Sequence, residues 1–138
     1  MRVTHVITRL IVGGAQENTI ATVLGLQRKA GVIVKLISGP TTGPEGSLES
    51  RFAGSPELLS LSPDLVRPIH PWKDLLALRH LAGMFRRDSP DIVHTHSGKA
   101  GILGRLAAHR ARVPIIVHTV HGPSFGSFQG SLANLAFS

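Results

Sequence analysis

The sequence predicts an α/β domain in which helices cover both faces of a parallel sheet. Short β-branched runs alternate with longer segments of helical period along most of the chain. Strands that alternate with helices form right-handed crossovers, and these keep neighbouring strands parallel. The chain has 138 residues, the length of a single domain that can bury its own core. We therefore expect a Rossmann-like, doubly wound parallel sheet.

The predicted elements follow one another in a regular order. Five β-branched or apolar runs predict strands over residues 3–8, 32–37, 58–61, 91–95 and 114–119. Three periodic segments predict helices over residues 15–29, 71–87 and 99–112, and a further helical pattern begins at residue 128. Leu75, Leu78, Leu81 and Phe85 are expected to share one face of the second helix. Glycine, proline and serine over residues 38–55 indicate a loop.

The common strand order 3-2-1-4-5 makes the first and fourth strands neighbours. Ligands of such sheets bind beyond the carboxyl ends of the strands, where the strand order reverses. The segments that leave these ends are residues 9–16, 96–101 and 120–128. We therefore predict that Gly13, Lys99 and His121 converge on one crevice at this edge.

Composition limits the classes of partner. Fifteen Lys and Arg against eight Asp and Glu give a net charge of +7, which favours anionic partners such as phosphorylated ligands or an anionic membrane surface. Nucleic acid is disfavoured, because aromatic residues make up only 4% and Tyr is absent. The absence of cysteine excludes disulfides and thiolate metal sites. The short, polar start does not resemble a signal peptide and predicts a cytoplasmic protein.

Two glycine-containing turns precede predicted helices. Gly13-Gly14 lets the backbone approach a ligand, and free amides at a helix start favour an anion. The spacing is not that of the dinucleotide fingerprint, and an unliganded tight turn explains the pair equally well. Ser97 and Lys99 form a second candidate anion pocket, although Ala100 stands where a P-loop requires Ser or Thr. A solvated lysine is the alternative for Lys99.

Histidines are numerous and raise the question of a metal. Alternation along a strand places His94 and His96 on one side of the sheet, and His118 on the face opposite to Thr119. No Asp, Glu or Cys stands near these pairs to complete a ligand shell, so we expect no metal. Packed, hydrogen-bonded histidines explain His94 and His118 better. His121 differs, because it follows the fifth strand at the mouth of the predicted crevice.

In their order and spacing these motifs resemble the N-terminal half of a GT-B glycosyltransferase of family 4. The resemblance covers nearly the whole chain. Within the family, the sequence looks most similar to bacterial enzymes that build surface polysaccharides or lipid-linked glycans. It is carried by the opening strand, by Gly13-Gly14-Ala15-Gln16-Glu17, and by residues 64–69, 72–74, 90–101 and 117–122.

The resemblance implies transfer of a sugar from a nucleotide-sugar donor to a glycan or polyprenyl-linked acceptor. It implies retention of anomeric configuration, with no cofactor and no obligatory metal. Gly13 and Gly14 match the glycine loop that meets the donor diphosphate and sugar. His121 matches a catalytic histidine facing the transferred sugar, and Ser97 with Lys99 falls on the acceptor side.

Length is where the chain departs from this family. A GT-B enzyme has a second Rossmann-like domain that holds most of the nucleotide, and its paired glutamates and basic clamp are not in this sequence. We therefore expect residues 1–138 to be an acceptor-side domain that is inactive alone and stops partway through its fold. The alternatives are a non-catalytic module that binds a phosphorylated metabolite and, with weaker support, a metallohydrolase.

Overall fold

The computed structural model describes residues 1–10, 14–41, 48–66, 68–96 and 98–120. Within these residues five parallel strands form one sheet in the order β3-β2-β1-β4-β5. The strands are β1 (Arg2–Ile7), β2 (Ile33–Ser38), β3 (Leu59–Leu61), β4 (Ile92–His96) and β5 (Ile115–Thr119). The predicted fold class and strand order are confirmed.

Three α-helices connect these strands, and each begins within a residue of its predicted start. They are α1 (Gly14–Gln27), α2 (Pro71–Asp88) and α3 (Gly98–Arg110). The start of α2 is capped by His70, whose ring nitrogen Nδ1 accepts a hydrogen bond from the amide of Lys73 at 3.1 Å. Among the described residues, no helix is long and apolar enough to cross a membrane.

The helices cover the two faces of the sheet, as predicted. On one face, Ile7 of β1 packs in a cluster with Ile20 and Val23 of α1. On the other, Val6 and Val93 pack with the buried faces of α2 and α3. Successive residues of β1 therefore enter different cores, because side chains alternate along a strand. Below we call these the α1 face and the α3 face.

Two local features were not evident from the sequence. Leu78, Leu81 and Phe85 of α2 are buried, but Leu75 is 42% exposed. It lies only one turn from the start of α2, where the apolar stripe of the helix is not yet covered. The predicted loop over residues 38–55 also contains a short helical turn. Glu49–Phe52 forms a 3₁₀ turn that buries Phe52 against the α1 face.

Candidate functional site at the carboxyl edge of the sheet

The carboxyl ends of β1 and β4 lie side by side, as their pairing requires. Val6 of β1 stands opposite Thr95 of β4 in the parallel register. Just beyond β1, the hydroxyl of Thr8 accepts a hydrogen bond from the amide of Ala100 at 3.1 Å, and this contact is buried. The first turn of α3, in the predicted segment 96–101, is thus fixed to the end of β1, from which the segment 9–16 leaves.

The start of α1 lies at this same edge. Gly14 is its first residue and is exposed, and a Cβ atom built on it would meet nothing within 4 Å. A helix that begins here directs its free backbone amides beyond the edge of the sheet. Gly13, Ser97 and His121 fall outside the described residues, so their predicted roles stay predictions.

Lys99 lies at the start of α3 and is engaged by its own chain. Its Nζ atom forms an ion pair with Oδ1 of Asp74 at 2.5 Å and donates a short hydrogen bond to the carbonyl oxygen of Pro68. Only 13% of the Lys99 side chain is exposed. The solvated lysine considered from the sequence is therefore wrong. The carboxylate of Asp74 also offsets the unfavourable position of a cation at a helix start.

A small cavity adjoins this ion pair. It has a volume of about 260 Å³ and is lined by Lys99 and Asp74 together with Ile69, Ile102 and Leu103. Ile69 is 90% exposed, and further large apolar side chains are exposed on α2 and α3, namely Trp72, Leu75, Ile102 and Leu106. This edge therefore combines one buried charge pair with an apolar surface.

Three histidines meet on the α1 face of the two central strands. His5 stands opposite His94 in the register of β1 and β4, and His96 follows two residues later on the same face. Nδ1 of His5 lies 2.9 Å from Nε2 of His96, and the His94 ring stacks on the His96 ring with centroids 4.3 Å apart. We call these three residues the histidine cluster. His5 and His96 are buried, whereas His94 is partly exposed.

The imidazole ring of His5, in the histidine cluster, is neutral near pH 7. Burial lowers the pKa of His5 to about 4, with a smaller contribution from the neighbouring His94. Water cannot solvate a buried imidazolium, so the neutral ring is favoured. His5 Nε2 is buried and has no hydrogen-bond partner among the described residues.

His94 and His118 are packed and hydrogen-bonded, as expected, and alternation along the strands is confirmed. His94 shares a hydrogen bond with the hydroxyl of Thr119 at 2.5 Å on the α1 face. His118 shares one with the hydroxyl of Thr95 at 2.8 Å on the α3 face. A Cβ atom on Gly101 would overlap the His118 ring, so glycine lets α3 approach β5 here.

Two residues of this region were missed by the sequence reasoning. The sequence places Asp74 only in the first turn of the second helix and His5 only in the first strand. The available signal for His5 was the predicted neighbourhood of the first and fourth strands, which places it level with His94. The contact of Asp74 with Lys99 depends on how α2 packs on α3, which local patterns do not contain.

Comparison with known proteins decides the family. The glycosyl transferase 4-like domain matches residues 13–137. The chain belongs to this family. Over 75 residues, the glycosyl transferase 4-like chain is 47% identical to the Escherichia coli UDP-Gal:alpha-D-GlcNAc-diphosphoundecaprenol alpha-1,3-galactosyltransferase. That match covers 54% of the chain and 19% of the relative.

Solved structures share the fold of this glycosyl transferase 4-like chain. A UDP-N-acetylglucosamine 2-epimerase aligns over 98% of the chain and 37% of its own length, with TM-score 0.63 and 18% identity. MurG of Acinetobacter baumannii aligns over 85% of the chain and 33% of its own, with TM-score 0.59 and 19% identity. The chain thus spans about a third of these relatives, and it has the architecture of one GT-B half.

Proposed function

We propose that this chain is the acceptor-side domain of a retaining glycosyltransferase, which transfers a sugar from a nucleotide-sugar to a lipid-linked glycan acceptor. In this proposal a second, nucleotide-sugar-binding domain belongs to a longer parent protein, and the isolated chain does not turn over. The E. coli relative acts on a UDP-Gal donor and a diphosphoundecaprenol-linked acceptor, as its name states. These are the donor and acceptor classes that we carry over.

One observation carries the proposal. Both α1 and α3 begin at the carboxyl edge beside the central β1–β4 pair, and the Thr8–Ala100 hydrogen bond ties the start of α3 to the end of β1. Two helix starts at one edge concentrate backbone donors where a diphosphate gains negative charge on leaving. This favours diphosphate chemistry over a site for a neutral ligand.

The apolar surface beside Lys99 suits an acceptor with a lipid portion. Exposed Ile69 and Ile102 line the cavity beside the Lys99–Asp74 pair, and exposed Trp72 lies at the start of α2. A polyprenyl diphosphate offers the same combination, since it joins an apolar chain to an anionic head. An indole ring is suited to such a boundary between apolar and polar material.

Each predicted site residue has a role in this proposal. The backbone at Gly13 and Gly14 contacts the donor diphosphate and sugar, while His121 stabilises charge in the transition state. Ser97 and Lys99 bind the acceptor, and Lys99 shares its ammonium group between Asp74 and the acceptor phosphate. No cofactor takes part, and the transfer needs no metal ion.

The deciding experiment uses the longer parent protein with UDP-sugars and a synthetic polyprenyl-diphosphate-linked GlcNAc acceptor, without added Mg²⁺ or Mn²⁺. We expect a single added sugar, and NMR of its anomeric proton should show the donor's configuration. Inverted configuration would overturn the retaining mechanism. Nucleotide-sugar binding without any product, across several acceptors, would favour the non-catalytic binding module.

A further inference from the structure

We propose that the histidine cluster, His5, His94 and His96, binds one divalent transition-metal ion between strands β1 and β4. This site lies on the α1 face, whereas the Lys99–Asp74 pair joins helices of the α3 face. The ion would therefore link the two central strands without taking part in sugar transfer.

The first argument is the spacing of the ligand atoms. One ring nitrogen from each histidine can be chosen so that all three lie within 4.8 Å of one another. With Zn–N bonds of about 2.0–2.1 Å, two ligands of a tetrahedral ion are about 3.3 Å apart. The 2.9 Å separation between His5 Nδ1 and His96 Nε2 is slightly shorter than this value. A small increase in the distance between these two nitrogens would therefore make room for an ion between them.

The second argument is the hydrogen bonding of His5, which shares one proton with His96. Its side chain is only 1% exposed, and Nε2 has no hydrogen-bond partner among the described residues. Nδ1 of His5 and Nε2 of His96 face each other, so one of these nitrogens must carry the shared proton. An ion held between these two nitrogens would replace the shared proton and use both of their lone pairs, and the remaining proton of His5 would then lie on Nε2.

The ligand set defines the class of ion. Three neutral imidazoles without a carboxylate or thiolate suit Zn²⁺, Ni²⁺ or Cu²⁺ and do not suit Mg²⁺ or Ca²⁺. Three protein ligands leave a fourth position for water, and the partly exposed His94 provides access. The His94 ring now lies within 20° of the plane of His96, so it must turn out of this stack to coordinate.

The test is a calorimetric titration of the untagged, metal-free 138-residue chain with Zn²⁺ and, separately, with Mg²⁺ near pH 7.5. We expect one Zn²⁺ per chain and no heat from Mg²⁺. His94→Gln and His96→Gln should each weaken Zn²⁺ binding at least about tenfold, since a direct ligand matters at least as much as its supporting partner. The matched control, His109→Gln at the exposed end of α3, should bind as the wild type.

A second measurement on the unmutated chain keeps the proposal testable if a variant fails to fold. Zn²⁺ should shift the imidazole NMR signals of His5, His94 and His96 and leave those of His80 and His109 in place. Absence of Zn²⁺ binding would overturn the proposal. So would equal binding by folded His94→Gln and wild type, or shifts confined to other histidines.

Discussion

Nζ of Lys99 lies 2.5 Å from Oδ1 of Asp74, so an ion pair joins the first turns of α3 and α2. Both side chains are mostly buried, at 13% and 23% exposure. Solvent therefore screens this pair less than an ordinary surface contact. If Lys99 binds an acceptor phosphate, it does so from a position that Asp74 holds in place.

Asp74→Asn should lower the stability of the domain. The change keeps the shape of the side chain but removes the charge that balances Lys99. We expect a loss of about 1–2 kcal/mol, between the values for exposed and fully buried pairs. Urea unfolding followed by circular dichroism measures it. Glu17→Gln, which breaks the exposed Arg51–Glu17 pair, is the control and should cost less. Equal losses in the two variants would contradict a special role for the Lys99–Asp74 pair.

Gly101→Ala should destabilise the chain although alanine is the better helix former. The new methyl group would overlap the His118 ring, whose Nδ1 atom would be only 2.9 Å from it. Overpacking of this kind costs about 1–3 kcal/mol. Gly83→Ala in α2 meets no atom within 4 Å and should be neutral or stabilising.

A double variant separates overlap from backbone effects at Gly101. His118→Ala alone should act through stability, because His118 is packed between β4 and α3. Combined with Gly101→Ala, it should recover part of the Gly101→Ala loss, since the overlapping ring is gone. Strictly additive losses in thermal unfolding would show that the ring is not the obstacle.

Stability should fall as the pH drops from about 6.5 to about 4. The pKa of His5 is about 4 in the fold and 6.5 in the unfolded chain. Between these values the unfolded state binds more protons, so acid favours unfolding. The full effect of this shift is about 3 kcal/mol. Well above pH 6.5 both states are neutral at His5, and the residue adds no pH dependence.

The comparison that isolates His5 is the slope of unfolding free energy against pH, measured by urea titration with a chelator present. His5→Gln should show a smaller slope than the wild type over the same window, whatever its absolute stability. Parallel curves for the two proteins would mean that another group causes the acid sensitivity.

The basic surface should bring the chain to anionic bilayers. Exposed arginines lie along the helices and just beyond α3, at Arg79, Arg86, Arg87, Arg105, Arg110 and Arg112. Each basic residue near such a surface contributes about 1 kcal/mol, and less at high salt. Liposome flotation should recover the chain with anionic vesicles at low salt only. Recovery with neutral vesicles would contradict this electrostatic mechanism.

His121→Ala in the longer parent should lower kcat by roughly 100-fold or more with little change in donor KM. A neutral imidazole that hydrogen-bonds the reacting sugar or leaving group acts mostly in the transition state. Steady-state kinetics of the folded variant provide the measurement. A kcat close to that of the wild type would show that His121 is a structural residue of its loop and not a catalytic one.

Local sequence patterns were sufficient for most of the fold. β-branched runs and helical periods placed all five strands and all three α-helices of the described residues, with boundaries within two residues. Glycine turns also placed the start of α1. These features depend on residues that are close together in the sequence, so the periodicity of apolar residues is enough to predict them.

Contacts between distant segments explain what was missed. Asp74 meets Lys99 only because α2 packs beside α3, and His5 meets His96 across 91 residues of chain. The exposure of Leu75 likewise depends on which part of α2 is covered by other elements. Each of these features depends on how two elements pack together. The residue pattern of a single element does not contain that information.

The central position of β1 has a consequence for synthesis on the ribosome. β1 is made before β2, β3 and β4, and its partner β4 is completed only at His96. Until then, a nascent chain that has paired β1 with β2 presents an open strand edge rich in valine and isoleucine. Such an edge can recruit strands from other chains. Slow translation between β3 and β4 should therefore promote aggregation, whereas rapid delivery of β4 should close the sheet.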